Sequence, residues 1–260
     1  MCTLIILRRP GHPWPVLIAA NRDELGRRAA VPPARHWPDR PGVVAGLDVA
    51  AGGSWLGLND DGLVAAVMNR TGTLGPAAGK RSRGELVLEA LDHAEADAAA
   101  GALADLNPAA YRPFNLVLAD PGRAYWVRHD GAGPIRVHPI PPGLHLLSAT
   151  ELDDPEHPRI ALHRPRFLAA ALPRPESGDW AAWRALLADP DYPESLGPEA
   201  AMVQERPDGF GTRSSALIAL PAYPRRNAPP RWLHAEGRPD RTPFLPVTLE
   251  DAQWRGLAAE

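Results

Sequence analysis

The chain has 260 residues, 45% of them apolar and 23% charged, with a net charge of −3. That length can bury a full core, and a single domain over 1–260 is expected; the composition excludes a disordered or fibrous chain. The acidic balance supplies no basic field for nucleic acid, and no apolar run approaches the ~20 residues of a membrane span.

The sequence contains a single cysteine, Cys2. One cysteine excludes an internal disulfide and a cysteine metal cluster, and fits a reducing compartment. No two of the nine histidines stand at metal-ligand spacing, so no metal is expected; His145 and His157 read as structural or exposed. The N-terminus carries no basic leader ahead of a long apolar region, which makes the cytoplasm the expected location.

The first seventy residues read as strands. Thr3–Arg8 and Pro15–Ala20 form a hairpin-like pair around Pro10-Gly11-His12-Pro13, and Gly42–Ala45, Ser54–Leu58 and Leu63–Met68 follow. The last two are joined by Asn59-Asp60-Asp61-Gly62, a turn sequence with glycine where positive φ is favoured. Leu63 to Met68 is apolar on both faces, so this strand is covered from both sides. A capping box of Ser82 and Glu85 predicts a helix, with a second over Ala98–Leu106. Strands return at Asn115–Ala119, Ala124–Arg128, Ile135–His138 and Leu144–Ser148. Helices are expected at Pro158–Ala171 and Trp180–Leu187, then strands at Ser214–Leu220, Arg231–Ala235 and Pro243–Val247. Proline clusters at 32–41, 134–142 and 221–246 read as loops and strand ends. Strands in blocks, not alternating singly with helices, argue for an α+β fold of antiparallel sheets layered between helices.

Cys2 lies directly behind the initiator methionine. A residue this small normally lets Met1 be trimmed, which leaves an α-amine and a thiol on one residue. With reference pKa values of about 8 and 8.5, the amine can accept the thiol proton near neutral pH. The competing reading is a small buried hydrophobe. Asn21-Arg22-Asp23-Glu24 directly follows the second apolar run, and hairpin geometry returns it beside Cys2. Alone, the tetrad reads as a solvated strand end; beside Cys2, an Arg and an Asp would orient the amine and lower the thiol pKa. Gly52-Gly53-Ser54-Trp55-Leu56-Gly57 matches no phosphate loop, and Ser54 misses nucleophile-elbow spacing; its glycines predict close backbone approach. Asn69 offers an oxyanion donor or a turn residue beside Thr71-Gly72. In Gly211-Thr212-Arg213-Ser214-Ser215, Arg213 is placed against a carboxylate or the nucleophile, or makes a strand-entry salt bridge.

Together, Met1-Cys2-Thr3, the Asn21 to Glu24 tetrad, Gly53-Ser54-Trp55-Leu56-Gly57, Asn59 through Asn69-Arg70, and Gly211 to Ser215 resemble the NRDE family. This is the transport-and-Golgi-organisation family, and the matches run in its order from residue 1 to about residue 220. The resemblance implies the four-layer αββα sandwich of the N-terminal-nucleophile hydrolases, nearest the cysteine branch of penicillin V acylases and bile salt hydrolases. It implies an amidase or acylase acting on a small-molecule amide or acyl substrate, with Cys2, Asp23, Asn69 and Arg213 in the family's positions. Arg22 is shifted relative to that branch's pattern. Hydrolysis would require no cofactor. Links of the family to haem trafficking and to lipid or acyl-coenzyme A homeostasis imply an alternative, a non-catalytic carrier of haem or acyl-coenzyme A. One departure bears on both: in Ser148-Ala149-Thr150-Glu151-Leu152-Asp153-Asp154-Pro155, Ala149 stands where an Asn oxyanion donor is usual.

Overall fold

The structure is a computed structural model and describes residues 2–222 and 229–249; Met1, whose removal the sequence predicts, lies outside them. In chain order the first six strands are β1 (Thr3–Arg8), β2 (Val16–Leu25), β3 (Ala30–Ala34), β4 (Val43–Asp48), β5 (Leu56–Asn59) and β6 (Val64–Asn69). Helices α1 (Gly84–Leu91) and α2 (Ala96–Ala104) follow, then β7 (Phe114–Ala119), β8 (Ala124–His129), β9 (Arg136–Pro139) and β10 (Gly143–Leu147). Helices α3 (Pro158–Ala169) and α4 (Ala181–Leu187) precede β11 (Phe210–Leu220), β12 (Arg231–Ala235) and β13 (Leu245–Pro246).

These strands build two antiparallel sheets, ordered β10-β1-β2-β11-β12-β13 and β3-β4-β5-β6-β7-β8-β9. Successive residues of a strand face opposite sides of a sheet, and here both sides are apolar. Leu4, Ile6, Val16 and Ile18 of the first sheet meet Val44, Leu58, Val64 and Val117 of the second. Ile5, Leu7 and Leu17 point the other way, onto Ile160, Phe167 and Trp183 of α3 and α4. Val43, Leu63, Ala65 and Leu116 carry α1 and α2 through Leu86, Val87 and Leu103. Each buried Leu, Ile or Val contributes about 1.5–3 kcal/mol, so three apolar seams bind four layers. The fold is the expected α+β sandwich, helices–sheet–sheet–helices.

Three local readings change. The second strand does not stop at Ala20; it runs through the polar tetrad to Leu25, because β11 pairs with it down to Phe210. Strand β3, which the sequence reading did not list, ends within the proline-rich stretch read as loops and strand ends; Pro32 and Pro33 are tolerated because β3 is a sheet edge. The capping box is absent: Ser82 Oγ accepts from the Gly84 N–H at 3.2 Å, while Glu85 pairs with Arg81 at 2.7 Å.

Candidate active site

Running the tetrad through a paired strand splits it by period two. Asn21 and Asp23 face the α3–α4 layer, and Arg22 faces the other sheet. Asn21 is spent on structure. Its amide donates to the Leu187 and Met202 carbonyls at 2.9 and 3.1 Å, and its oxygen accepts from Ser215 Oγ at 2.6 Å.

Asp23 is buried, 2% exposed, and each carboxylate oxygen is engaged. Thr212 Oγ1 donates to Oδ1 at 2.7 Å, and Arg159 Nη1 donates to Oδ2 at 3.0 Å. The same Arg159 Nη1 donates to Thr3 Oγ1 at 2.6 Å. Burial alone would raise the Asp23 pKa. The charge of the chain's amino terminus and of Arg159, helped by the Thr212 hydroxyl, outweighs it and holds the carboxyl below its ordinary range. Asp23 is therefore an anion at neutral pH.

Cys2 enters β1, where Thr3 pairs with Asn21, so its sulfur meets the Asp23 backbone. The Asp23 N–H donates to Sγ at 3.4 Å, and Sγ lies 3.5 Å from the Asp23 carbonyl. Ser148 Oγ donates to the Cys2 carbonyl at 2.8 Å and fixes the start of the strand. The thiol pKa is raised, first by burial and then by the Asp23 charge, which together exceed the lowering by the amino terminus and Arg22. This corrects the expectation of a lowered thiol pKa: Arg22 does not make a resting thiolate. Its guanidinium instead lies 4.3 Å from the centre of the Trp55 ring. Trp55 in turn covers Gly46, where a Cβ would come within 2.4 Å of the ring.

Cys2 and Asn69 line one cleft of about 240 Å³. Asn69 ends β6, and its side-chain amide makes no hydrogen bond to a described residue, so its donors are available. Asn115 is committed: it donates to the Ser148 and Thr150 carbonyls at 2.9 and 2.7 Å and accepts from Arg70 and Trp126. Ala149 is buried, and its carbonyl accepts from the Thr71 N–H at 3.1 Å. Ser54 is no nucleophile; its hydroxyl closes a local turn with Leu56. The close approach predicted for the glycines is real at Gly53, where a Cβ would come within 2.5 Å of the Gly84 backbone.

Of the predicted site residues, Cys2, Arg22, Asp23 and Asn69 line the cleft and Arg213 does not. A bulge explains this. Thr212 pairs with Asp23 and Ser214 with Arg22, which leaves Arg213 as the extra residue. Its side chain leaves the ladder and donates to the Glu24 carbonyl at 3.1 Å and to the Gly209 carbonyl. The same bulge puts Thr212 and Ser215 on one face, against Asp23 and Asn21. The arginine that holds the site carboxylate is Arg159 of α3, which sequence reasoning missed; only its place in the first turn behind Pro158 marks it. Among the described residues, no three His, Cys, Asp or Glu side chains gather as a metal site, and no helix is long and apolar enough to cross a membrane.

The comparisons with known proteins agree with this architecture. An arginine-to-leucine variant of conjugated bile acid hydrolase from Clostridium perfringens superposes with a TM-score of 0.52 at 12% identity, over 96% of this chain and 94% of that one. The likeness is one of fold. The Transport and Golgi organization protein 2 homolog of Bos taurus is 29% identical over 246 residues, covering 80% of this chain and 82% of that protein. The Homo sapiens homolog is 28% identical over 239 residues, with the same coverage. The profile of the family described as Transport and Golgi organisation 2 matches residues 1–223. With most of its length matched, the chain belongs to the Transport and Golgi organisation 2 family.

Proposed function

We propose that this chain is an N-terminal cysteine hydrolase acting on an amide or related acyl bond. One observation carries the reading: the Cys2 sulfur lies against the Asp23 backbone, and the Asp23 carboxylate, an anion paired with the buried Arg159, stands at a cleft that also holds an uncommitted asparagine amide. Once Met1 is removed, the Cys2 amine takes the thiol proton. The raised thiol pKa fits a proton that needs a base to remove it, and an ionised Asp23 would raise the basicity of an amine freed next to it. The sulfur then bonds to the carbonyl carbon, and Asn69 donates to the oxygen that becomes negative. Collapse expels the amine, which recovers the proton from the Cys2 ammonium. Water cleaves the thioester and restores the thiol. The sequence draws on no cofactor.

The test is intact mass and kinetics. The purified chain should lack Met1, and a thiol-reactive substrate mimic should add once, at Cys2. Turnover that survives Cys2→Ala on any substrate would overturn the mechanism.

A second reading is favoured by Ala149. A buried alanine whose carbonyl is already bonded supplies no side-chain donor at the position where the family resemblance expects an asparagine, and losing one oxyanion donor costs about 10²–10³ in rate. A carrier of an acyl-coenzyme A or lipid acyl group accounts for that substitution. Haem fits the cleft poorly. Among the described lining residues only Cys2 is of a type that commonly ligates haem iron. Acyl-coenzyme A binding retained in Cys2→Ala, with no amide turnover by the unaltered chain, is the outcome that selects the carrier.

A further inference from the structure

We propose that the molecule taken by this cleft carries an anionic group, a carboxylate or a phosphate, held at the wall formed by Lys80, Arg83 and Arg112 while its acyl carbonyl reaches Cys2. This rests on the reading of the cleft as the substrate site and adds the class of substrate.

Six basic side chains line the cleft: Arg22, Arg28, Lys80, Arg81, Arg83 and Arg112. Three acids face them, and each is already answered. Arg159 pairs with Asp23, and Arg28 pairs with Asp48 at 2.6 Å and Glu24 at 3.9 Å. Arg81 is spent on Glu85, at 2.7 Å. No described carboxylate forms an ion pair with Arg22, Lys80, Arg83 or Arg112. A chain whose net charge is −3 thus keeps four cations around one cleft with no carboxylate bonded to them.

Two of them are held together by the backbone. Arg83 donates to the Thr73, Gly75 and Pro113 carbonyls and to Thr73 Oγ1. Arg112 donates to the Gly72, Leu74, Gly75 and Pro76 carbonyls. Both reach the Gly75 oxygen, so two guanidiniums are pinned side by side. The strain shows in Arg83, whose pKa is pushed down to about 10 by burial and then by Arg112. Such a pair is repulsive until an anion arrives, and a cleft lined by one sign of charge concentrates ligands of the other. Arg83 and Arg112 have few donors left, so they supply charge. Free N–H groups come from Lys80, which bonds only the Ala109 carbonyl at 2.6 Å, and from Arg22, whose guanidinium stacks near Trp55 and makes no hydrogen bond to a described residue.

The sole cysteine makes a test independent of turnover. Labelling of Cys2 by iodoacetate and by iodoacetamide is followed by intact mass at low and high salt, for the unaltered chain and Lys80→Glu. The same chain is titrated calorimetrically with pyrophosphate and with glutarate. The iodoacetate-to-iodoacetamide rate ratio should exceed that of free cysteine by about threefold or more at low salt, and fall in high salt and in Lys80→Glu. One of the two anions should bind and slow iodoacetate selectively; pyrophosphate marks a phosphate substrate and glutarate a carboxylate. A ratio equal to that of free cysteine, or one indifferent to Lys80→Glu, with no heat from either anion, overturns the proposal. If neither reagent labels Cys2, the nucleophile reading fails and the titrations alone decide anion binding.

Discussion

On the helix side of Cys2, Asp23 and Arg159 are 2% and 1% exposed and bond each other, Thr3 and Thr212. On the cleft side, Lys80, Arg83 and Arg112 hold their charge against backbone carbonyls and form no ion pair with a described carboxylate. The first flank is closed: its charges balance inside the protein and fix where the Cys2 sulfur stands. The second is open: its charges are held in place but not neutralised, so they act on whatever enters. A buried pair positions a group because separating it is costly, whereas cations with no carboxylate bonded to them keep their charge free to select a ligand. If that division is right, perturbing the two flanks has opposite signatures, one in stability and one in binding.

The largest effect falls where the flanks meet. Cys2→Ala should reduce turnover more than about 10³-fold while the circular dichroism spectrum and melting temperature stay nearly unchanged, because sulfur and not packing is lost. Next is Arg159→Met, which leaves the Asp23 carboxylate buried without its partner. Breaking a buried pair costs about 3–5 kcal/mol, and urea unfolding should show it. Asp23→Asn combined with Arg159→Met removes both charges and should recover much of that loss. A single variant as stable as the parent would mean that Asp23 is not held by Arg159.

Acid weakens the closed flank. Asp23 is held below its ordinary pKa, so its stabilisation is complete above about pH 4 and disappears as pH falls through the lowered value. His157, His163 and His234 are buried with values lowered to about 4. The unfolded chain binds those protons near pH 6.5, before the folded one does, so stability should fall between about pH 6.5 and 4, by up to about 3 kcal/mol for each histidine. His163 already donates to the Ala200 carbonyl at 2.9 Å, a bond the neutral ring makes. Denaturant unfolding from pH 7 to 4 measures the slope, and His234→Gln should flatten it.

How much of this was legible in the sequence depends on whether a residue's role is set by its neighbours in the chain or by partners far away. Leu63 to Met68 and Leu4 to Leu7 are apolar on both faces, and that local pattern does place two covered sheets between helices. The polar tetrad misled for the same reason. Hydropathy ends β2 at Ala20, but pairing with β11 keeps Asn21, Arg22 and Asp23 buried inside the strand. Cys2 and Asn69 were readable from strand ends and from family resemblance. Arg159 was not, because a buried and an exposed arginine differ only in a partner 136 residues away. Arg213 was misplaced because one inserted residue in β11 moves it out of register, and no local pattern announces a bulge there.

The smallest effect tests the open flank on its own terms. Lys80 is exposed, makes one hydrogen bond to a carbonyl, and shares a wall with two guanidiniums that have no carboxylate bonded to them. Lys80→Gln loses part of that bond but also relieves like-charge repulsion, and the two changes oppose each other. Its unfolding free energy should therefore stay within about 0.5 kcal/mol of the parent, as for an ordinary surface substitution. Thermal and urea unfolding at low and high salt measure it. If instead Lys80→Gln cost more than about 1 kcal/mol, the lysine would be a strut for the 72–83 loop. The distinction between a flank that builds the site and a flank that selects its ligand would then have to be abandoned.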